Sequence, residues 1–298
     1  MTSPNDREFG ILTCAAPNDY LKAIGLALSV RVSNPGVPIA IACSPKLRPL
    51  LAPHFDVVVD EATGIRGFEH KVHLDRYTPF KTTMFFDSDV LIFKPVRPFA
   101  EAWGNYAFRA CGHYRSDGFS SFGMDRAAAL RRLGKDQLVV IDGAGHSLFR
   151  LPESGPVWDR AREITAHHNE YFGKIQYADE DVLNYVMTEF DLPPAPIGEF
   201  FSRYLSAVPG TLKMNAAEGL CTFTRVDNGQ PQSPCMMHFA ANEAPFPYHR
   251  QLRLLYRKFG VDPSGLWRSA WDDYYATKIH APLHRIKFNT MKRLGLNR

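Results

Sequence analysis

Two aspartates close together in the chain are the first residues that could do chemistry. Asp87 and Asp89 flank Ser88 directly after the apolar segment TTMFF, where a predicted strand leaves its sheet. Side chains two positions apart in an extended segment point to the same side. Two neighbouring carboxylates repel each other unless a cation lies between them, and a divalent cation that also binds a substrate diphosphate is a common solution. The pattern predicts a metal site, with a solvated acidic turn as the alternative.

A second acidic triplet, Asp179, Glu180 and Asp181, stands at the start of a predicted helix. Its carboxylates either serve the chemistry of a site or complement the positive end of the helix dipole. The sequence contains no GxGxxG, GxxxxGKS/T, HExxH or GxSxG motif. The sequence therefore lacks the usual signatures of dehydrogenases, P-loop enzymes, HExxH metallopeptidases and α/β-hydrolases.

The elements that must position these acids alternate between strand and helix. Short apolar runs bounded by Pro and Gly predict strands, and apolar residues at helical spacing predict helices. The predicted strands cover residues 9–16, 39–43, 57–59, 83–87, 90–93, 106–111 and 138–141, and the predicted helices cover residues 20–32, 156–168 and 179–190. This order favours an α/β fold with a mostly parallel central sheet flanked by helices. Ligands of such sheets bind beyond the carboxyl ends of the strands, where Asp87 and Asp89 are expected.

Composition limits the classes of protein that remain. With 298 residues, 45% of them hydrophobic and 22% charged, the chain can bury a sizeable core and has the composition of a folded globular protein. A net charge of +4 is too small for extensive nucleic-acid binding. The five cysteines are scattered and lack CxxC spacing, which favours a reducing, cytoplasmic setting. We also expect neither an export signal nor a membrane-spanning segment.

Four segments carry a more specific signal: ILTCAAPNDYLKAIGLALSV, YTPFKTTMFFDSDVLIFKPV, GAGHSLFRL and ADEDVLNYV. In this order they resemble the retaining GT-A-fold glycosyltransferases of the group that includes glycogenin and the bacterial galactosyltransferases of lipooligosaccharide synthesis. In that family a strand ends in a DxD motif that holds a divalent metal against the diphosphate of a nucleotide sugar. The resemblance implies a single GT-A-like domain, assigned to residues 1–273, and a metal-dependent hexosyltransferase.

The resemblance also implies a third metal ligand. In the family this ligand is a histidine late in the chain, and His238 in CMMHFAAN stands at that position. By itself, a histidine after two methionines is typical of a buried core residue. Together, Asp87, Asp89 and His238 are expected to bind Mn²⁺ or Mg²⁺, with diphosphate oxygens completing the coordination.

The segment after His238 departs from the family pattern. The family continues with a glycine and with a lysine that touches the phosphates, whereas HFAANEAPFPY has neither residue. Lys71, ahead of the DxD strand, is the candidate to replace that lysine. Arg250 or Asn242 could contribute to the same role.

Donor binding is expected to involve the first strand and helix, which receive the nucleotide base in the family. The donor-binding candidates, besides Lys71, are Thr13, Ala15, Tyr20, Ser88, Asp142 and Gly143. Tyr20 offers a ring for stacking on a base, or it packs on the sheet at the start of its helix. Asp142 could bind a sugar hydroxyl, or it forms a turn.

The implied reaction moves a hexose from a nucleoside diphosphate sugar to a saccharide or lipid-linked acceptor, with retention of configuration. Positive, oxocarbenium-like charge develops on the sugar. The candidate to stabilise it is Glu180, or Asp179 or Asp181 beside it. Two alternatives stay open, namely a metal-dependent sugar nucleotidyltransferase or phosphohydrolase, and a sugar-nucleotide-binding protein without catalysis.

Residues 274–298 form a separate segment in this prediction. After Asp273 there are six Lys or Arg and no acidic residue, and four apolar residues can share one helical face, namely Ile279, Leu283, Ile286 and Leu294. A basic amphipathic segment of this kind either contacts an anionic membrane peripherally or packs on the domain with its basic face in solvent. A lipid-linked acceptor would make membrane contact useful.

Overall fold

The computed structural model describes residues 7–65, 67–143, 145–240 and 243–280. Within these residues the strands are β1 (Arg7–Ala15), β2 (Ile39–Cys43), β3 (Val57–Asp60), β4 (Phe80–Phe86), β5 (Val90–Ile92), β6 (Phe108–Arg109), β7 (Gly112–Arg115), β8 (Leu138–Ile141), β9 (His146–Arg150), β10 (Phe201–Arg203), β11 (Lys213–Asn215), β12 (Leu220–Thr224), β13 (Pro231–Gln232) and β14 (Met236–His238). The α-helices are α1 (Tyr20–Ser33), α2 (Arg48–Leu51), α3 (Leu74–Tyr77), α4 (Arg97–Ala102), α5 (Arg126–Leu133), α6 (Gly155–Ala166), α7 (His168–Phe172), α8 (Asp179–Glu189), α9 (Pro245–Lys258) and α10 (Leu266–Tyr275). A 3-10 helix covers Gly67–His73, and a π-helix covers Ala276–His280.

The main sheet has six strands in the order β3-β2-β1-β4-β9-β6. The first four strands are parallel to one another, and β9 runs antiparallel to both β4 and β6. The predicted α/β fold with a mostly parallel central sheet is therefore confirmed. Since β1 and β4 are neighbours and parallel, the residues that follow them meet at the same edge of the sheet.

Helices cover both faces of this sheet. Along β1, Phe9 and Ile11 pack in one hydrophobic cluster with α1 and α9, and Leu12 packs in a second cluster with α6 and α8. This alternation follows from the two-residue period of a strand, and burial on both faces explains the continuous apolar run of β2. The two cores hold the sheet rigid beneath its carboxyl edge.

A smaller sheet supports the turn that follows β4. It has the strand order β10-β14-β5, with β14 parallel to β10 and antiparallel to β5. The predicted pattern of strand, acidic turn and strand is confirmed by β4 and β5. Through β14, this sheet connects a late part of the chain to that turn.

One predicted strand is shorter than expected. The apolar run 106–111 contains only the short strand β6, and the chain then enters β7, which pairs with β8. A Cβ atom at Gly112 would lie 2.3 Å from the carbonyl oxygen of Val140, so the close approach of β7 to β8 requires glycine at this position. Before Gly112, only Phe108 and Arg109 of β6 pair with β9.

The C-terminal helices pack on α1. The ammonium of Lys22 on α1 lies 3.0 Å from a carboxylate oxygen of Asp273, and His249 on α9 lies 3.0 Å from the other oxygen. Helix α10 runs across position 273, and residues 281–298 of the predicted basic segment lie outside the described residues. Among the helices in the described ranges, none combines the length and the apolar character needed to cross a membrane.

Candidate active site

The pairing of β5 with β14 brings a distant histidine to the two aspartates. Asp87 directly follows β4, and the turn through Ser88 and Asp89 leads into β5. In the antiparallel register His238 lies opposite Val90, and the amide of Phe239 donates to the carbonyl of Asp89 over 3.0 Å. His238 therefore lies beside an acidic turn that precedes it by about 150 residues in the sequence.

The three side chains form a compact cluster. Nε2 of His238 lies 3.1 Å from Oδ1 of Asp89 and 3.9 Å from Oδ2 of Asp87. One ligand atom from each residue lies within 4.8 Å of the others. Two carboxylate oxygens and an imidazole nitrogen suit a divalent cation such as Mn²⁺ or Mg²⁺, so the donor set fits the expected metal.

Backbone contacts hold this cluster in place. The amide of Asp87 donates to the carbonyl of Gly145 over 2.9 Å, and the hydroxyl of Tyr248 donates to the carbonyl of Ser88 over 3.2 Å. A Cβ atom at Gly145 would lie 2.6 Å from Cε1 of His238. Glycine at this position leaves the space that the imidazole ring occupies.

The charges of the cluster depend on one another. Burial of Asp89 favours its neutral form, but the charge and hydrogen bond of His238 outweigh burial and lower the pKa of Asp89 to about 2. Burial opposes the charged form of His238, yet Asp89 and Asp87 together raise its pKa. Because a metal ion binds the neutral imidazole, protonation of His238 would compete with a metal ion at this cluster.

Lys71 links the two acidic motifs of the sequence. Its ammonium lies 2.8 Å from Oδ2 of Asp87 and 3.2 Å from Oδ2 of Asp179. Burial disfavours the charged form of Lys71, but Asp179 and Asp87 outweigh burial and raise its pKa. Burial also raises the pKa of Asp87, against the opposing charge of Lys71. Lys71 is thus a fixed cation beside the metal candidates.

A cavity of about 520 Å³ opens on one side of this cluster, at the ends of β1 and β4. Its lining includes Ala15, Lys71 and the whole turn from Asp87 to Asp89. Pockets of this size are typical of small-molecule ligands. Three of the predicted donor-binding residues, Ala15, Lys71 and Ser88, thus line one cavity.

A second cavity, of about 360 Å³, lies on the other side. Glu180, Asp142 and Gly143 line it, as do residues of β7 and the loop that follows. A Cβ atom at Gly143 would lie 3.6 Å from Nδ1 of His238, so this cavity adjoins the metal candidates. Glu180 is the one member of the second acidic triplet that lines this cavity.

Several predicted residues lie elsewhere. Thr13 is fully buried on the face of β1 where Ile11 packs, and Tyr20 lines a separate cavity together with α10. Arg250 lines cavities on α9 rather than the cavity at the ends of β1 and β4, and Asn242 lies outside the described residues. For Thr13 and Tyr20 the structure favours packing over contact with a nucleotide.

The members of the second triplet have different surroundings. Asp179 pairs with Lys71, whereas Asp181 is fully buried and accepts a hydrogen bond of 2.8 Å from Ser120. The hydroxyl of Ser120 in turn accepts from the amides of Phe122, Gly123 and Met124. Asp181 thus supports the loop around Ser120 and lines neither of the two cavities.

Sequence reasoning missed three residues of the site. Phe68 is 52% exposed and lines the cavity at the ends of β1 and β4, with its ring 5.5 Å from the Lys71 ammonium, and Glu61 lines the same cavity after β3. Gly145 accommodates the ring of His238. An exposed aromatic beside Lys71 and an acid at a strand end were the available signals for the first two.

The fold was compared with known proteins. No protein-family model matches the sequence, and no curated protein matches it. The galactosyltransferase LgtC, in complex with donor and acceptor sugar analogues, matches with a TM-score of 0.55 at 15% identity, over 83% of this chain and 95% of LgtC. An active-site mutant of LgtC gives 0.54 at 17% identity, over 88% and 99% of the two chains. The bifunctional glycosyltransferase WbbM gives 0.52 at 12% identity, over 87% of this chain and 53% of WbbM.

These likenesses establish the class of structure. The chain has the GT-A fold of glycosyltransferases, and it resembles LgtC over nearly the whole length of that enzyme. At identities below 20% the likeness concerns the fold, so substrates and mechanism must be argued from the residues of this chain.

Gly145→Ala tests whether metal binding requires the absence of a side chain at position 145, next to the imidazole of His238. The added methyl group displaces the imidazole, so we expect Mn²⁺ affinity to fall by about tenfold or more while the protein stays folded. Titration followed by electron paramagnetic resonance of free Mn²⁺ measures this. Gly155→Ala is the matched control, because an added Cβ there meets no atom within 4 Å. Unchanged affinity in folded Gly145→Ala would contradict the geometry.

Asp181→Asn tests the structural role of that residue. Burial raises the pKa of Asp181 to about 6 from its ordinary 3.8, so its ionised form weakens the fold as pH rises through 6. We expect the amide to increase the free energy of unfolding by up to about 3 kcal/mol above pH 7, with the gain disappearing below pH 4. Urea unfolding from pH 4 to 8 measures this.

Asp136→Asn removes an equal charge from an exposed acid before β8 and is the control for that experiment. A gain in Asp181→Asn that did not vary with pH would be evidence against the stated cause.

Proposed function

We propose that the chain is a glycosyltransferase that moves a hexose from a nucleoside diphosphate sugar to a saccharide or lipid-linked acceptor. The observation that carries the proposal is the cluster of Asp87, Asp89 and His238 at the carboxyl end of β4, with one cavity on each side. A transferase needs one site for the donor and one for the acceptor on either side of the bond that is exchanged. The GT-A fold, which this chain shares with glycosyltransferases, supports the same proposal.

We assign the first cavity to the donor. Asp87, Asp89 and His238 are the residues that would hold Mn²⁺ or Mg²⁺. The bound cation would supply Lewis-acid stabilisation of the diphosphate leaving group. Lys71 adds a fixed positive charge beside Asp87, which suits a phosphate or a sugar hydroxyl at this point. In this assignment Lys71 takes the role of the phosphate-contacting lysine that the family has after its histidine and that this chain lacks.

The sugar end of the donor is proposed to lie between Asp179 and Glu180. Asp179 is held by Lys71, and Glu180 lines the second cavity beside it. A carboxylate here stabilises positive charge that develops at the anomeric carbon. Retention of configuration is part of the proposal through the resemblance alone, and proton NMR of the first product formed tests it.

Location and domain limits belong to the same proposal. We assign residues 1–273 to the GT-A-like domain and place the protein in the cytoplasm, in keeping with its five free cysteines. Segment 274–298 is proposed to contact an anionic membrane peripherally. Trp267 and Trp271 on α10, 59% and 38% exposed, support this contact because tryptophan is enriched at membrane interfaces.

The alternatives differ in their products. A transferase releases nucleoside diphosphate, a nucleotidyltransferase exchanges pyrophosphate, and a phosphohydrolase releases monophosphate or inorganic phosphate. A binding protein shows metal-dependent affinity without turnover, even when an acceptor is offered. Chromatography of nucleotide products from a panel of nucleotide sugars with Mn²⁺ separates these classes.

Asp89→Ala is expected to lower metal-dependent release of nucleoside diphosphate by about 100-fold or more, because it removes one ligand of the cation and the partner of His238. Turnover with and without Mn²⁺ is measured, and thermal unfolding checks that the variant remains folded. Asp227→Ala is the control, because Asp227 is an acid with a side chain 54% exposed that pairs with Arg225 outside both cavities. Full turnover in Asp89→Ala would remove Asp89 from the mechanism.

A further inference from the structure

Four basic side chains line the cavity beside Glu180. His113 and Arg115 come from β7, Arg126 comes from the start of α5, and Arg203 comes from β10. The acids in its lining are Asp117, Asp142 and Glu180. On the function proposed above this is the acceptor side, so its charge bears on which acceptor is chosen.

Two of these basic side chains, His113 and Arg203, already have acidic partners. Nδ1 of His113 lies 3.1 Å from Oδ2 of Asp142, and Arg203 forms an ion pair with Glu243. Both pairs hold their side chains at the wall of the cavity. Because each of these two side chains already contacts an acid, they attract an anionic ligand only weakly.

The other two arginines have no such partner. Among the described residues, no carboxylate lies within ion-pair distance of Arg115 or Arg126. Arg126 donates only to the carbonyl of Asp117, over 3.3 Å, and its Nε is buried without a hydrogen-bond partner. Burial raises the pKa of Asp181 and the charge of Arg126 partly opposes this, but the two side chains form no ion pair. Arg126 is half-buried and its Nε lacks the hydrogen bond that a buried guanidinium requires, and Arg115 is exposed at the same cavity.

We propose that the acceptor is an anionic saccharide, and that Arg115 and Arg126 bind its carboxylate or phosphate group. Guanidinium groups bind both anions through paired, charge-assisted hydrogen bonds. A neutral sugar offers Arg126 only hydroxyl oxygens as acceptors, whereas an anionic group also compensates the charge of the guanidinium. Binding of that group in the cavity brings the rest of the acceptor next to Glu180.

The test compares sugars that differ in one group. Binding of D-glucuronate, glucose 6-phosphate and glucose to the full chain, with Mn²⁺ and nucleoside diphosphate present, is measured by ligand-observed NMR titration. We expect at least one of the two anionic sugars to bind more tightly than glucose, and the preferred one identifies the anion. In Arg115→Gln that preference falls about tenfold, the loss of one charge-assisted hydrogen bond.

Arg126→Gln is expected to lose the preference in the same way. The matched control is Arg131→Gln, which removes an exposed arginine of the same helix that does not line the cavity. Equal affinity of all three sugars for the wild-type protein would overturn the inference. A preference that Arg115→Gln and Arg126→Gln both retain would also overturn it.

Acceptor-free hydrolysis of nucleotide sugars, run on the same samples, separates this inference from the proposed function. Hydrolysis without any anionic preference contradicts the inference alone. An anionic preference that depends on Arg115, without turnover of any donor, contradicts the proposed transfer but leaves the anion site supported.

Discussion

Mutual repulsion of two carboxylates at the end of a buried strand is the constraint on which the rest of the site depends. Positive charge close to both carboxylates favours their ionised forms and offsets this repulsion. His238 supplies it from β14 and Lys71 supplies it from the 3-10 helix before α3. Each cation comes from a different part of the chain, so the charge balance of the turn depends on the complete fold.

The same contacts divide the edge of the sheet into two cavities. The turn from Asp87 to Asp89 lines one cavity, and Glu180 lines the other. Between them, Lys71 bridges Asp87 and Asp179 and thereby ties the start of α8 to the end of β4. The transfer proposed above would use one cavity for the donor and the adjoining cavity for the acceptor.

Much of this could be predicted from sequence, for identifiable reasons. The apolar runs around β1, β2 and β4 have the lengths and breakers of buried strands, so the sheet and the position of Asp87 follow from local pattern. Resemblance placed His238 in the site, because a register such as His238 opposite Val90 is not local information. Thr13 and Asp181 have the right residue types, yet packing turns them away from both cavities. The role of Gly145 depends on the imidazole ring of His238, which lies almost a hundred residues later in the sequence, so local pattern does not reveal it.

The central claim is that Asp87, Asp89 and His238 together bind one divalent cation that also meets the donor diphosphate. Anomalous X-ray scattering from crystals grown with Mn²⁺ and a nucleoside diphosphate tests it most directly. The account predicts one manganese peak within bonding distance of all three side chains, with the diphosphate beside Lys71 in the cavity at the end of β1. A manganese peak elsewhere, or a nucleotide bound with His238 turned away from both aspartates, would contradict it.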